Sequence, residues 1–188
     1  MDFNSSAFLC SFFSSSMRCC NPSSCYLVGM KAASLRDIKS ELQFKSKDEL
    51  MELCLLMTKF KKDNKELLTY LLFERQDELG YVNSIKEEID VQFDALNRDT
   101  YYRMNKAVRK VLRNCKKFIR YSRNKETEVD VLIHFCLRVK QESVHFVHNN
   151  TLLSIYAKQL EIVQRKIASL HEDLQYDYNL MIEELLED

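Results

Sequence analysis

From Lys31 to the C-terminus the chain contains no proline and only one glycine, Gly80. A β-rich fold of this length needs many tight turns, and tight turns rely on glycine and proline. Helices joined by short polar turns do not need these residues. Leucine, glutamate, lysine, arginine and methionine, which favour helices, dominate the same stretch. We therefore predict a single all-α domain over residues 30–188.

Residues 1–29 differ in composition, with eight serines, four cysteines, four phenylalanines and the only proline of the chain. They lack the basic beginning and the small-residue cleavage site of an export signal. Their cysteines have no second ligand pair at zinc spacing. We predict that this segment is a disordered extension that packs against nothing, or that translation begins at Met30.

Apolar residues at helical spacing, together with capping residues, predict six or seven helices. Ser34 is expected to cap the first helix, which ends at Leu42, and Gly80 is expected to separate the third helix from the fourth. Short connections favour antiparallel neighbours, in a helical bundle or a short stack of helical hairpins. The predicted helices begin near residues 34, 46, 63, 81, 100, 126 and 151, and the last one is long.

Two capping boxes and four apolar stripes make these helix predictions more specific. A serine or aspartate followed three residues later by glutamate predicts helix starts at Ser46 and Asp63. Apolar residues that recur every three or four positions predict the buried face of each helix. The predicted buried residues are Leu50, Leu53, Cys54 and Met57; Leu67, Leu68, Leu71 and Leu72; Val82, Ile85, Ile89 and Phe93; and Val129, Leu132, Ile133, Cys136 and Val139.

The formal net charge is zero, but the charges are segregated along the chain. Residues 74–99 contain eight acids and three bases, residues 100–125 contain ten bases and no acid, and residues 126–188 contain twelve acids and five bases. The basic segment coincides with the predicted fifth helix, and a phosphate polyanion would gain by releasing counterions there. The residues predicted to bind a polyanion are Arg109, Arg113, Lys116, Lys117 and Arg120.

The basic helix has other interpretations. Acidic side chains of the preceding helix or of the C-terminal region can neutralise it and leave an ordinary solvated surface. A membrane-surface role is disfavoured because the core requires the apolar stripe of this helix. Whether acids cover the basic helix in the folded chain distinguishes a polyanion site from a neutralised surface. The acids concerned are Glu87, Glu88, Asp90, Asp94, Glu172, Asp173 and Asp177.

In the last predicted helix, apolar residues step alternately by three and four positions over three heptads, which is the pattern of a coiled-coil seam. A straight helix of about 35 residues would span roughly 50 Å and would extend past the other helices. Either the helix packs on its own domain, or the seam binds a partner helix from another protein or from an antiparallel second copy. The seam residues are Leu153, Tyr156, Leu160, Val163, Ile167, Leu170 and Leu174.

No motif in the sequence points to catalysis, a metal or a cofactor. Glu142 and His145 have the Glu-x-x-His spacing of di-iron bundles, but the second such pair is missing. There is no glycine-rich phosphate loop and no nucleophile in a recognisable setting. Three cysteines fall on apolar stripes and are predicted to be buried thiols. These are Cys54, Cys115 and Cys136.

Three segments carry a family resemblance: LRDIKSEL at 35–42, KELLTYLLFE at 65–74 and KKFIRYS at 116–122. They resemble an uncharacterised family of bacterial all-helical proteins, a domain of unknown function. The resemblance extends from about Leu35 to Cys136. It implies a bacterial, cytoplasmic protein, and it implies no activity and no site residues.

These features together predict a non-enzymatic helical protein-interaction module. The alternative is a nucleic-acid-binding protein that uses the basic helix over residues 103–125. No run of 18 apolar residues exists, so we expect neither a transmembrane helix nor a membrane partner. No small-molecule substrate is indicated.

Overall fold

The computed structural model describes residues 31–142 and 148–187, so the prediction for residues 1–29 lies outside the described residues. The described residues form eight α-helices and no strand. The all-α class is therefore confirmed, and the predicted count of six or seven is wrong. The helices are α1 (Leu35–Leu42), α2 (Lys47–Phe60), α3 (Lys62–Thr69), α4 (Glu78–Asp94), α5 (Tyr101–Ser122), α6 (Lys125–Gln141), α7 (Asn150–Ile167) and α8 (Glu172–Glu187).

The chain divides into two compact units, residues 1–50 and 51–188. In the described part of the first unit, Ser34 caps α1 by accepting the Asp37 amide at 3.3 Å. Ser46 and Glu49 form the predicted capping box, because each accepts the amide of the other, at 3.3 Å and 2.8 Å. Both predicted helix starts in this unit are thus confirmed.

The core of the second unit is built around α6, which packs on α4, α5 and α7. Phe93 of α4 and Phe135 of α6 are fully buried and meet edge to face with centroids 5.8 Å apart. The predicted inward faces of α4 and α6 are confirmed, since every residue of both stripes is buried. Burial of these faces provides most of the driving force for folding.

Side-chain caps fix where α4 to α7 begin. Thr100, Asn124 and Asn149 each accept an amide from the first turn of α5, α6 and α7. Asp77 caps α4 by accepting the Gly80 amide at 2.9 Å, so Gly80 lies inside the first turn. The prediction that Gly80 separates two helices is therefore wrong. A β-carbon at this position would collide with the Asp77 carboxylate, which explains why glycine suits it.

The predicted long last helix is two helices. The chain leaves α7 at Ile167 and enters α8 at Glu172. The Ser169 hydroxyl donates a hydrogen bond to the Lys166 carbonyl at 2.8 Å. A side-chain bond of this kind competes with the backbone hydrogen bonds that would continue the helix. The turn brings the apolar face of α8, with Ile182 and Leu185, back onto the core, where both side chains are buried.

The apolar stripes predicted for α2 and α3 are not buried. Cys54 is exposed, Met57 is 61% exposed and Leu72 is 62% exposed. Helices α4 to α8 complete the core of the second unit. The apolar periodicity of α2 and α3 does not show that other helices fill the core in their place. Helix α3 also begins at Lys62 without a side-chain cap, so the capping box predicted at Asp63 is wrong.

A π-helical turn, Tyr70–Glu74, continues α3 and leads towards α4. Its first residue, Tyr70, is buried against Tyr81 with ring centroids 4.6 Å apart. This turn therefore connects α3 to the core of the second unit. No helix in the described part of the chain is long and apolar enough to span a membrane.

Candidate functional site

Helix α5 has a buried face and a basic face on opposite sides. Met104, Val108, Val111 and Cys115 are buried and follow a spacing of four, three and four residues. At 3.6 residues per turn this spacing defines one side of the helix. All bases of α5 except Lys117 are exposed to solvent. The packing of α5 on the core thus fixes the direction of its charges.

Six bases of α5 are exposed and form no ion pair within 4.0 Å in the described part of the chain. We call this set the basic stripe. From its first to its last residue it spans about 21 Å, at 1.5 Å per residue. The basic stripe consists of Lys106, Arg109, Lys110, Arg113, Lys116 and Arg120.

Lys117, which the sequence analysis included in the polyanion site, is not part of the basic stripe. Its ammonium lies 2.6 Å from the Glu66 carboxylate and 3.9 Å from that of Asp63, and its side chain is only 20% exposed. It also lies over the Phe118 ring, 4.9 Å from the centroid. Because its charge is paired within the chain, Lys117 is not counted in the basic stripe, and its role as a polyanion ligand stays a prediction.

The acids expected to neutralise α5 have other partners or none. Asp90 pairs with His134 and Arg138 of α6, and Asp94 also pairs with Arg138. Glu88 accepts a hydrogen bond from Gln92 of its own helix. Among the described residues, none of the acids of α4 or α8 forms an ion pair with α5. Within residues 31–142 and 148–187, the basic stripe is therefore not covered by acids.

An uncovered stripe of this kind concentrates positive potential on one face. Like charges one helical turn apart repel each other, and counterions from solution offset this repulsion. Three of the six bases are arginines, whose planar guanidinium can donate two parallel hydrogen bonds to a phosphate. The stripe thus presents positively charged hydrogen-bond donors that can bind an anion. Among the described residues, no carboxylate forms an ion pair with these donors.

The predicted partner-helix seam faces the chain's own core. Leu160, Val163 and Ile167 are buried, and the other four seam residues are half-buried. Val163 and Ile167 belong to a cluster with residues of α6 and α8. The buried part of the seam thus packs within this chain, as the intrachain alternative expects, and binding of a partner helix to the seam stays a prediction.

The di-iron spacing noted in the sequence does not produce a metal ligand at Glu142. Its carboxylate accepts two hydrogen bonds from the Arg98 guanidinium, at 2.6 Å and 2.8 Å. Arg98 also donates to two carbonyls at the end of α4, so the pair connects α4 to α6. His145 lies outside the described residues.

A polar cluster that sequence reasoning missed lies at the start of α4. The Glu78 carboxylate accepts hydrogen bonds from the hydroxyls of Tyr70, Ser122 and Thr127, with the Tyr70 bond at 2.9 Å. These donors belong to the π-helical turn, the end of α5 and the start of α6. Burial raises the pKa of Glu78, but the three hydroxyl bonds together outweigh it and lower the pKa below its usual value. Glu78 therefore connects three elements as a carboxylate.

An aromatic cleft of about 520 Å³ opens beside this cluster, between α3 with its π-helical turn, α4 and α5. Its aromatic lining, which we use to define the aromatic cleft, is Tyr70, Tyr81, Phe118 and Tyr121. The sequence gives only a weak signal for it, because the four residues come from three separate segments.

Compared with known proteins, the chain matches no family model, no curated protein and no solved structure. The resemblance to a bacterial helical family, and the cytoplasmic location that it implies, stay predictions.

Proposed function

We propose that this protein is a non-enzymatic nucleic-acid-binding protein that holds the phosphate backbone on the basic stripe. The observation that carries the proposal is that six exposed bases on one face of α5 have no acidic partner within 4.0 Å in the described residues. Acidic cover was the feature that separated this function from a neutralised surface. Its absence from the basic stripe, among the described residues, favours the polyanion site over the general interaction module expected first.

The spacing of the bases suits a phosphate backbone. Arg109, Arg113, Lys116 and Arg120 follow one another by four, three and four residues, so they lie along one line of the helix. Each base that neutralises a phosphate releases condensed counterions, which makes the affinity depend steeply on salt. The basic residues of the stripe are proposed to contact phosphates and not the edges of nucleobases. The stripe therefore supplies affinity without sequence preference.

The test is a binding titration by fluorescence anisotropy with a labelled duplex at 50 mM salt. Wild type should bind, and the quadruple variant R109Q/R113Q/K116Q/R120Q should lose affinity by more than tenfold. The matched control removes four exposed, unpaired lysines elsewhere: Lys39, Lys47, Lys59 and Lys158. Equal loss in both variants would show that net charge alone acts, and absence of wild-type binding would reject the function.

A second candidate function, self-association, rests on the apolar surface of α2 from Met51 onward. Leu56 is 67% exposed and Phe60 is 81% exposed, and Met51, Leu55 and Met57 are exposed as well. A helix that is apolar on all sides is normally buried, and a contiguous exposed apolar patch marks an interface. A second copy of the chain is the occupant that we propose, since two such helices bury each other's excess apolar surface.

Self-association is tested by light scattering coupled to size exclusion at high micromolar concentration. Wild type should have the mass of a dimer, and L56E and F60E should each halve that mass without loss of helicity. The control L180E changes an exposed leucine on α8 and should leave the mass unchanged. A monomeric wild type at this concentration would reject this candidate.

A further inference from the structure

The aromatic cleft has rings that are held in fixed positions. Tyr70, Tyr81 and Tyr121 each donate their hydroxyl to a protein acceptor: Glu78 at 2.9 Å, the Phe118 carbonyl at 3.1 Å and Glu66 at 3.2 Å. Tyr70 and Tyr81 are buried against each other, so the ring surface that the cleft offers to a ligand is that of the half-buried Phe118 and Tyr121. Its volume of about 520 Å³ lies within the range of ligand sites.

Two lysines of α3, Lys62 and Lys65, line the aromatic cleft. On α3, Lys65 is exposed and has no acidic partner among the described residues, whereas Lys62, whose side chain is 87% exposed, lies 3.5 Å from the Glu66 carboxylate. On α5, Arg120 of the basic stripe directly precedes Tyr121 of the cleft. The Glu66 carboxylate at the rim is paired with Lys117 at 2.6 Å, so its charge is compensated. The cleft is thus lined by two lysines of α3, and the helix that carries the basic stripe contributes Phe118 and Tyr121 to its lining.

An aromatic pocket with lysines in its lining matches a ligand that combines a planar ring with a phosphate, which is a nucleotide. We infer that the aromatic cleft takes an unstacked base of a single-stranded nucleic acid whose backbone follows the basic stripe. The inference rests on the proposed function and adds the form of nucleic acid that is bound. A base inside a duplex cannot enter the cleft, because its faces are covered by its neighbours.

The inference predicts that the protein binds a single strand more tightly than a duplex. Electrostatics alone would give the opposite preference. A basic face without a base pocket favours the duplex, whose phosphates are denser and whose counterion release per contact is larger. Stacking of one base on an aromatic side chain increases affinity by about 5- to 150-fold. Tighter binding of the single strand at equal salt thus reports occupation of the cleft.

The experiment compares labelled oligodeoxythymidine with a duplex of the same length by anisotropy at equal salt. Wild type should prefer the single strand. Two variants remove the cleft in different ways: Y121A deletes one wall, and T69W fills the space from an exposed position in its lining. Both should lose the preference and keep the wild-type affinity for duplex. The control Y176A removes an exposed tyrosine on α8 and should keep the preference.

The outcomes separate this inference from the function on which it rests. Equal or weaker binding of the single strand by wild type, with duplex binding intact, overturns the inference and leaves the proposed function standing. Absence of binding to either probe rejects both. Saturable binding of adenosine monophosphate that T69W abolishes, without any single-strand preference, assigns the cleft to free nucleotides and overturns the inference for strands. Retained preference in T69W and Y121A also overturns it.

Discussion

Substitution of Glu78 by glutamine should destabilise the protein by about 2–4 kcal/mol at neutral pH. The carboxylate accepts from Tyr70, Ser122 and Thr127, and a hydrogen bond to a charged group contributes about 1 kcal/mol more than a neutral one. In glutamine, one of the two oxygens becomes an NH2 group. Hydroxyls that donated to that oxygen then face a second donor in place of an acceptor. Loss of a negative charge in the first turn of α4 adds about 0.3–1 kcal/mol.

The effect of E78Q should depend on pH. The folded-state pKa of Glu78 is lowered, so its contribution to stability is fully present above the unfolded-state pKa of about 4.3 and is lost as the pH falls through the folded-state pKa. The difference between wild type and E78Q should therefore shrink in acid.

Urea unfolding, followed by far-UV circular dichroism at neutral and acid pH, measures this difference. The control E87Q removes an exposed acid on the same helix and should change stability by less than about 0.5 kcal/mol. If E78Q matches E87Q at neutral pH, or if its effect persists undiminished in acid, the assignment of Glu78 as a carboxylate that connects three elements is wrong.

Three other predictions follow from the packing. I167A, at the fully buried end of α7, should cost about 2–5 kcal/mol of unfolding free energy in urea, whereas L180A on the exposed side of α8 should cost far less, and equal effects would contradict the intrachain packing of the seam. R123G should stabilise the protein by about 0.5–1 kcal/mol, because Arg123 has φ of 58° at the end of α5; a lower melting temperature would contradict this. Burial raises the pKa of the Cys115 and Cys136 thiols to about 12, so Cys54 alone of these three should react rapidly with a thiol reagent in the native state, and fast reaction of all three would contradict the core.

Local signals in the sequence predict the helices of this chain well where the signal is a specific side chain. Ser34 and the Ser46–Glu49 pair begin their helices as expected, because a cap is a contact over three residues. The inward faces of α4 and α6 also follow from periodicity. The break between α7 and α8 is not visible, because no glycine or proline marks it and the turn is made by Ser169.

Tertiary packing explains the remaining differences between the expected and the observed structure. The apolar residues of α2 recur at helical spacing, as those of α4 do, and only the packing of α4 to α8 decides that Met57 is left outside. Similarly, the acids of α4 precede the basic helix in the chain, yet Asp90 and Asp94 face α6 and pair with Arg138. The order of the helices in the sequence predicts that the acids of α4 neutralise the bases of α5. The rotation of each helix about its axis decides which residues in fact pair. Of the five residues predicted to bind a polyanion, four are exposed without an ion-pair partner among the described residues, and Lys117 is paired with Glu66.

The salt dependence of duplex binding tests the basic stripe most directly. If four of its bases each neutralise one phosphate, a plot of log affinity against log salt should have a slope of about −3.6, and each substitution, such as R113Q, should reduce that slope by about 0.9. The control K158Q should leave the slope unchanged, since Lys158 is exposed on α7 and is not part of the basic stripe. A slope near zero for wild type, or a slope that R113Q and K158Q reduce equally, would contradict binding of the phosphate backbone by the basic stripe.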